Sequence, residues 1–134
     1  MAEISSGLIG DFPYSIWKHD VMGHLCGYLG VPLAHPWAKY QTNDWDIPAN
    51  VHGGITFSAV STKDKPHLDY DGQPYPSDIP MDIFWVGFDC AHWGDWTKYS
   101  FDSKDHKWTR DEVFSELTQL AEQAYTAMEV TTNG

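Results

Sequence analysis

The sequence predicts an α+β fold, a small antiparallel β-sheet packed against one long C-terminal helix, with long ordered loops between the elements. Three observations carry this. Ile83-Phe84-Trp85-Val86-Gly87-Phe88 is a short apolar run rich in aromatic and β-branched residues, which suits a buried strand. Thr109-Arg110-Asp111-Glu112 has the form of a capping box. Behind it Val113, Leu117, Leu120 and Ala124 recur at helical spacing, with Glu116, Gln119 and Glu122 turned outward, so a helix from Arg110 to about Met128 is expected. The intervening segments are broken by Pro, Gly and Asp, which confines strands to short pieces. At 134 residues the chain suffices for one domain, 1–134, with a core that needs no disulfide or metal.

In chain order, Met1 to Phe12 is glycine-bearing and weakly patterned, a loop or an edge strand. Tyr14 to His19, after Pro13, reads as a short helical turn anchored by Trp17. From Gly23 to Pro32, three glycines within eight residues disfavour a helix. Alternation there sets His24, Cys26 and Tyr28 on one face of a strand and Leu25, Gly27 and Leu29 on the other. Residues 33–50, with His35-Pro36-Trp37 and Asn43-Asp44-Trp45, read as a long ordered loop. A second strand is expected over Val51–Ala59, its Gly53-Gly54 pair marking a bulge or a close backbone approach to a ligand. Residues 61–80 read as a Pro/Asp/Gly-rich insertion loop, Asp82 to Cys90 as the third strand, and Tyr99 to Trp108 as polar turns.

Composition limits the functions open to this chain. A formal charge of −11 argues against a binder of nucleic-acid polymers, which needs a basic surface. A small phosphorylated ligand stays compatible with it, because Lys98, Lys104, Lys107 and Arg110 form one locally basic segment and local donors outweigh net charge. No stretch has the length and apolarity of a membrane span and the first residues lack the order of a signal peptide, so a cytoplasmic protein is expected. Seven Trp, seven Tyr and six Phe exceed what a small core seals completely, which leaves rings for stacking on a planar ligand.

The chemistry concentrates where the strand ends. Asp89, Cys90, His92 and Asp95 fall within seven residues, with Gly94 among them. Three arrangements follow, together with a bland one. For binding, Tyr28, Trp93 and Trp96 stack on a base or ribose, His24, His52, Asp89, His92 and Asp95 bond its polar edges, Gly53 and Gly54 admit its phosphates to backbone amides, and Lys98 or Arg110 neutralises them. For catalysis, His92 and His52 form an acid–base pair, or Cys26 or Cys90 is a nucleophile, with Asp89 or Asp95 orienting an imidazole. For metal, His24, Cys26, Cys90 and His92 form a tetrahedral zinc site. In the bland reading both cysteines are core and the histidines satisfy buried backbone groups.

The motifs Gly23-His24-Leu25-Cys26-Gly27-Tyr28, Val51-His52-Gly53-Gly54 and Gly87-Phe88-Asp89-Cys90-Ala91-His92-Trp93-Gly94-Asp95, with the terminal helix around Leu120-Ala121-Glu122-Gln123, resemble a family of small proteins encoded by phages and bacteria. By analogy of that setting, the resemblance implies an anti-defence protein, a sponge that sequesters a nucleotide-derived immune messenger such as a cyclic nucleotide or an ADP-ribose derivative. The expectation is a homo-oligomer in the cytoplasm of an infected bacterial host, without cofactor, nucleic-acid or membrane partner. The alternatives are a hydrolase of the same messenger and a structural or protein-interaction domain.

Overall fold

The computed structural model describes residues 1–40, 46–66, 68, 82–92, 94–100 and 104–133, with side chains to 129. Its elements are β1 (Ala2–Ile9), β2 (Phe12–Lys18), β3 (Leu25–Pro32), a short 3-10 helix (Pro36–Lys39), β4 (Phe57–Ser61), β5 (Ile83–Asp89) and α1 (Arg110–Asn133). The strands form one antiparallel sheet in the order β1-β2-β3-β5-β4, so β5 inserts between β3 and β4 and lies where the apolar run Ile83–Phe88 can be covered on both faces. The α+β arrangement of a small antiparallel sheet and one long C-terminal helix is therefore what the chain adopts. No helix among the described residues is long and apolar enough to cross a membrane.

Alternation divides the sheet into two faces. Phe12, Tyr14, Ile16, Leu29, Val31, Phe84, Val86 and Phe88 point to one side, where Val113, Leu117, Leu120 and Ala124 of α1 close over them. Each of those larger helix side chains is fully buried and contributes about 1.5–3 kcal/mol by leaving water. The other face carries a smaller cluster of Trp17, Cys26, Tyr28, Phe57, Ala59 and Trp85. Tyr28 lies opposite Gly87, and a Cβ at Gly87 would sit 2.4 Å from its ring. The Gly87 hydrogen therefore admits the Tyr28 ring between two strands.

Several expectations are corrected. The stretch expected as a helical turn over 14–19 is strand as far as Lys18: Phe12, Tyr14 and Ile16 alternate with Ser15 and Trp17, and Pro13 sits near the strand start, where the lost N–H costs the ladder little. Of the two readings for the opening segment, the edge strand holds, as β1. The second strand is displaced: Val51 to Thr56 is irregular and β4 runs Phe57–Ser61. The capping box forms in both halves, Glu112 N–H donating to Thr109 Oγ1 and Thr109 N–H to Glu112 Oε1. Glu116, expected outward, instead turns to the 46–56 loop. Most of the 61–80 insertion lies outside the described residues, as do Trp45 and Trp93.

Candidate functional site

Asp95 joins three segments that are distant in sequence. A turn closed by Asp95 N–H to the His92 carbonyl at 2.8 Å, with Gly94 at φ +91° where a side chain would be strained, folds the carboxylate back toward the end of β5. Its Oδ2 accepts from His52 Nε2 at 2.6 Å and from the His92 backbone N–H at 3.0 Å, and its Oδ1 accepts from Trp108 Nε1 at 2.9 Å. The side chain is 3% exposed. A carboxylate so buried is held by its three donors.

The His52 loop is fixed from the helix side. His52 N–H donates to Glu116 Oε1 at 2.7 Å, while Asn50 N–H donates to Gln123 Oε1 and Gln123 Nε2 returns to the Asn50 carbonyl, both at 2.7 Å. Gly53 takes φ +70°, and a Cβ there would lie 2.1 Å from His92 Cδ2, so the glycine backbone seats the His92 ring. The close approach expected at the glycine pair is thus to a side chain of the protein. His52 and His92 meet edge to face with centroids 5.8 Å apart. Asp89 Oδ1 lies 3.2 Å from His92 Nε2 but off hydrogen-bonding direction, leaving that nitrogen without a partner. An ordered series Asp89, His92, His52, Asp95 results.

Trp108 connects this series to a hollow of about 640 Å³. One wall is the turn between β2 and β3, where His19 Nδ1 accepts the Val21 and Met22 N–H groups. The other is formed by Trp96, Lys98, Lys107 and Trp108, pinned by Lys98 N–H to the Met22 carbonyl at 2.6 Å and by Trp96 N–H to the His106 carbonyl at 2.7 Å. Trp96 and Trp108 line it, with Lys107 Nζ 4.4 Å above the Trp96 ring. Lys18, Lys98 and Lys107, all at exposed positions, line it as well. His24 also lines the hollow, 7% exposed, stacked on His19, and its buried Nδ1 has no partner.

The predicted site residues divide. His24, Trp96 and Lys98 line the hollow; His52, Gly53, Asp89, His92 and Asp95 form the adjoining carboxylate–imidazole series. Gly54 has open space around its Cα, and Trp93 lies outside the described residues. Tyr28 is buried against Phe57 on the other face, and Arg110 bonds Ser5 and Asp111, away from the hollow. Sequence reasoning missed Lys18, Trp108 and Glu116 as site residues, and took Lys107 only as part of a basic segment. Lys18 was hidden by the helical reading of β2. For Trp108 and Glu116 no local pattern announces the role.

The zinc set is not assembled. Cys26 lies directly opposite Asp89, so those two share a face, whereas Cys90, one residue on, turns to the helix side and donates its N–H to Leu25. Among the described residues no group of three or more His, Cys, Asp or Glu is placed to hold a metal. Burial first, then Asp89, pushes the Cys26 thiol up to about 12, and burial with Asp95 raises Cys90 further still. Neither sulfur is an activated thiolate at neutral pH, which removes the electrostatic support for a cysteine nucleophile.

Two histidines answer to the bland reading in part. His35 Nδ1 accepts the Trp37 N–H at 3.0 Å and Nε2 donates to the Ala124 carbonyl at 2.9 Å, a bonding scheme only the neutral ring satisfies. Burial lowers its pKa, partly offset by the Ala124 carbonyl, and burial lowers that of His24. In the unfolded chain both protonate near 6.5, above their folded values, so the unfolded state holds more protons as pH falls. Stability is therefore expected to drop on acidification below about pH 6.5, by up to ~1.4 kcal/mol per pH unit for each ring. Urea unfolding from pH 7.5 to 5 checks this: a His35→Gln variant should show a shallower slope, and an unchanged slope would exclude His35 as a source.

Comparison of the chain with protein-family models, curated proteins and solved structures returned no match.

Proposed function

We propose that the chain binds and sequesters a small nucleotide-derived molecule in the hollow between the β2–β3 turn and the wall made by Trp96, Lys98, Lys107 and Trp108. One observation carries the reading: in a chain of net charge −11, three lysines gather around a single hollow that also presents two indoles. Ammonium groups suit phosphate oxygens, indoles suit a base or ribose face, and the unpartnered His24 nitrogen suits a polar edge. The resemblance to small phage-encoded proteins narrows the proposal to an immune messenger, a cyclic nucleotide or an ADP-ribose derivative, captured by an anti-defence sponge that acts as a homo-oligomer.

Incubation with a panel of such messengers, followed by chromatography before and after heat denaturation, tests the proposal. A sponge depletes the free messenger and returns it intact on heating. Trp96→Ala is expected to weaken capture by about 10- to 100-fold, the worth of one base–aromatic stack, measured by titration calorimetry. Unchanged affinity would remove Trp96 from the seat.

A second reading is favoured by the series Asp89, His92, His52, Asp95, two imidazoles each beside its own carboxylate. Asp95 fixes the His52 proton on Nε2 and leaves Nδ1 as a base, while an open cavity of about 820 Å³ borders His92 and Asp95. A hydrolase of the same messenger would use that pair as base and acid. New products at substoichiometric protein, abolished by His52→Gln, would establish it and overturn sequestration.

A further inference from the structure

We infer that the ligand of the hollow carries at least two negative charges on separate phosphates, as a cyclic dinucleotide or a diphosphate-linked nucleotide does and a cyclic mononucleotide does not. The inference rests on the binding reading above and deepens it.

The three lysines come from different places: Lys18 from the end of β2, Lys98 from the segment seated on the β2–β3 turn, Lys107 from the stretch leading into α1. Among the described residues none of them is in an ion pair. Among the described residues the one carboxylate lining the hollow, Asp20, takes the N-terminal ammonium of Met1 instead. Like charges repel, and a chain with 19 acidic residues and only eight basic ones has carboxylates in excess with which to pair them. Three lysines lining one hollow without a carboxylate partner, Lys107 resting over the Trp96 ring, therefore point to anionic charge supplied from outside. One phosphate monoanion would match one of them and leave two uncompensated.

The remaining polar group of the hollow is of another kind. His24 is held neutral by its burial, so its Nδ1 is a hydrogen-bonding site for an uncharged edge and adds nothing to the charge count. Phosphates go to the lysines, and a base or ribose edge goes to His24. A hollow of about 640 Å³ has room for both parts of such a ligand.

The experiment is titration calorimetry of the intact chain with four probes that share adenine and differ in charge: adenosine, cyclic AMP, ADP-ribose and cyclic di-AMP, at low and high salt. Expected is at least one of the doubly charged probes binding about tenfold or more tighter than cyclic AMP at low salt, with the gap closing as salt rises. Lys98→Gln and Lys107→Gln, both at exposed positions, should each weaken that probe by about tenfold and cyclic AMP by less. Cyclic AMP binding as tightly as both doubly charged probes would overturn the charge requirement and leave nucleotide capture standing. Binding of none of the four would overturn the capture reading and this inference with it.

Discussion

Asp95→Ala is expected to cost about 3–5 kcal/mol of folding stability, the range for removing one partner of a buried charged network. The size follows from what is left behind. His52 Nε2, the His92 backbone N–H and Trp108 Nε1 all end on this carboxylate, and each donor orphaned at this part-buried site costs up to about 1–3 kcal/mol. Asp95→Asn keeps the volume and one acceptor oxygen, so a smaller loss, about 1–2 kcal/mol, is expected. The amide must also turn a donor toward either the indole or the imidazole, and that mismatch is where its cost arises. Urea unfolding reads both variants. A loss below 1 kcal/mol for the alanine variant would mean that the three segments hold together without Asp95. Because Trp108 is both a ligand of this carboxylate and a wall of the hollow, the asparagine variant should also weaken the proposed messenger capture.

That double role of Trp108 shows where sequence reasoning reaches its limit. The helix was legible because its signals are local: a capping box spanning four residues and an apolar stripe at a fixed period. The apolar run of β5 was legible for the same reason. β2 was not, because a proline followed by aromatic and polar residues suits a helix start as well as a strand, and the pairing with β1 and β3 that decides between them is long-range. The proposed convergence of two thiols failed on register alone. Pairing Cys26 with Asp89 instead of Cys90 sends the second sulfur to the opposite face, and period-two spacing cannot reveal which residue stands opposite which. Residue types near the end of β5 singled out Asp89, His92 and Asp95, which the fold places beside His52 from another segment. Of the lysines of the hollow only Lys98 was named for a site; Lys18 and Lys107 are 89 positions apart and meet only through the fold.

Trp85→Ala is expected to be as damaging as loss of Asp95, about 3–5 kcal/mol, for a different reason. Trp85 is fully buried in the centre of β5, opposite Gly30 on one side and Ala59 on the other, in the cluster with Trp17, Tyr28 and Phe57. Its direct cross-strand neighbours, Gly30 and Ala59, are small, so truncation opens a cavity that they cannot fill. The indole also donates from Nε1 to the Thr62 carbonyl at 2.8 Å, tying the chain beyond β4 to the sheet. Trp85→Phe keeps most of the volume and loses that bond, and about 1–2 kcal/mol is expected. The pair of variants separates volume from hydrogen bonding; equal losses would show that the bond to Thr62, not packing, sets the cost. Trp85 is on the face of the sheet away from α1, whereas Leu25 and Cys90, which line the hollow, belong to the helix side. Trp85→Phe should therefore lower the unfolding midpoint and leave the affinity of the proposed capture unchanged, while Asp95→Asn changes both. If affinity falls equally in the two variants, general loosening rather than the geometry around Asp95 governs the hollow.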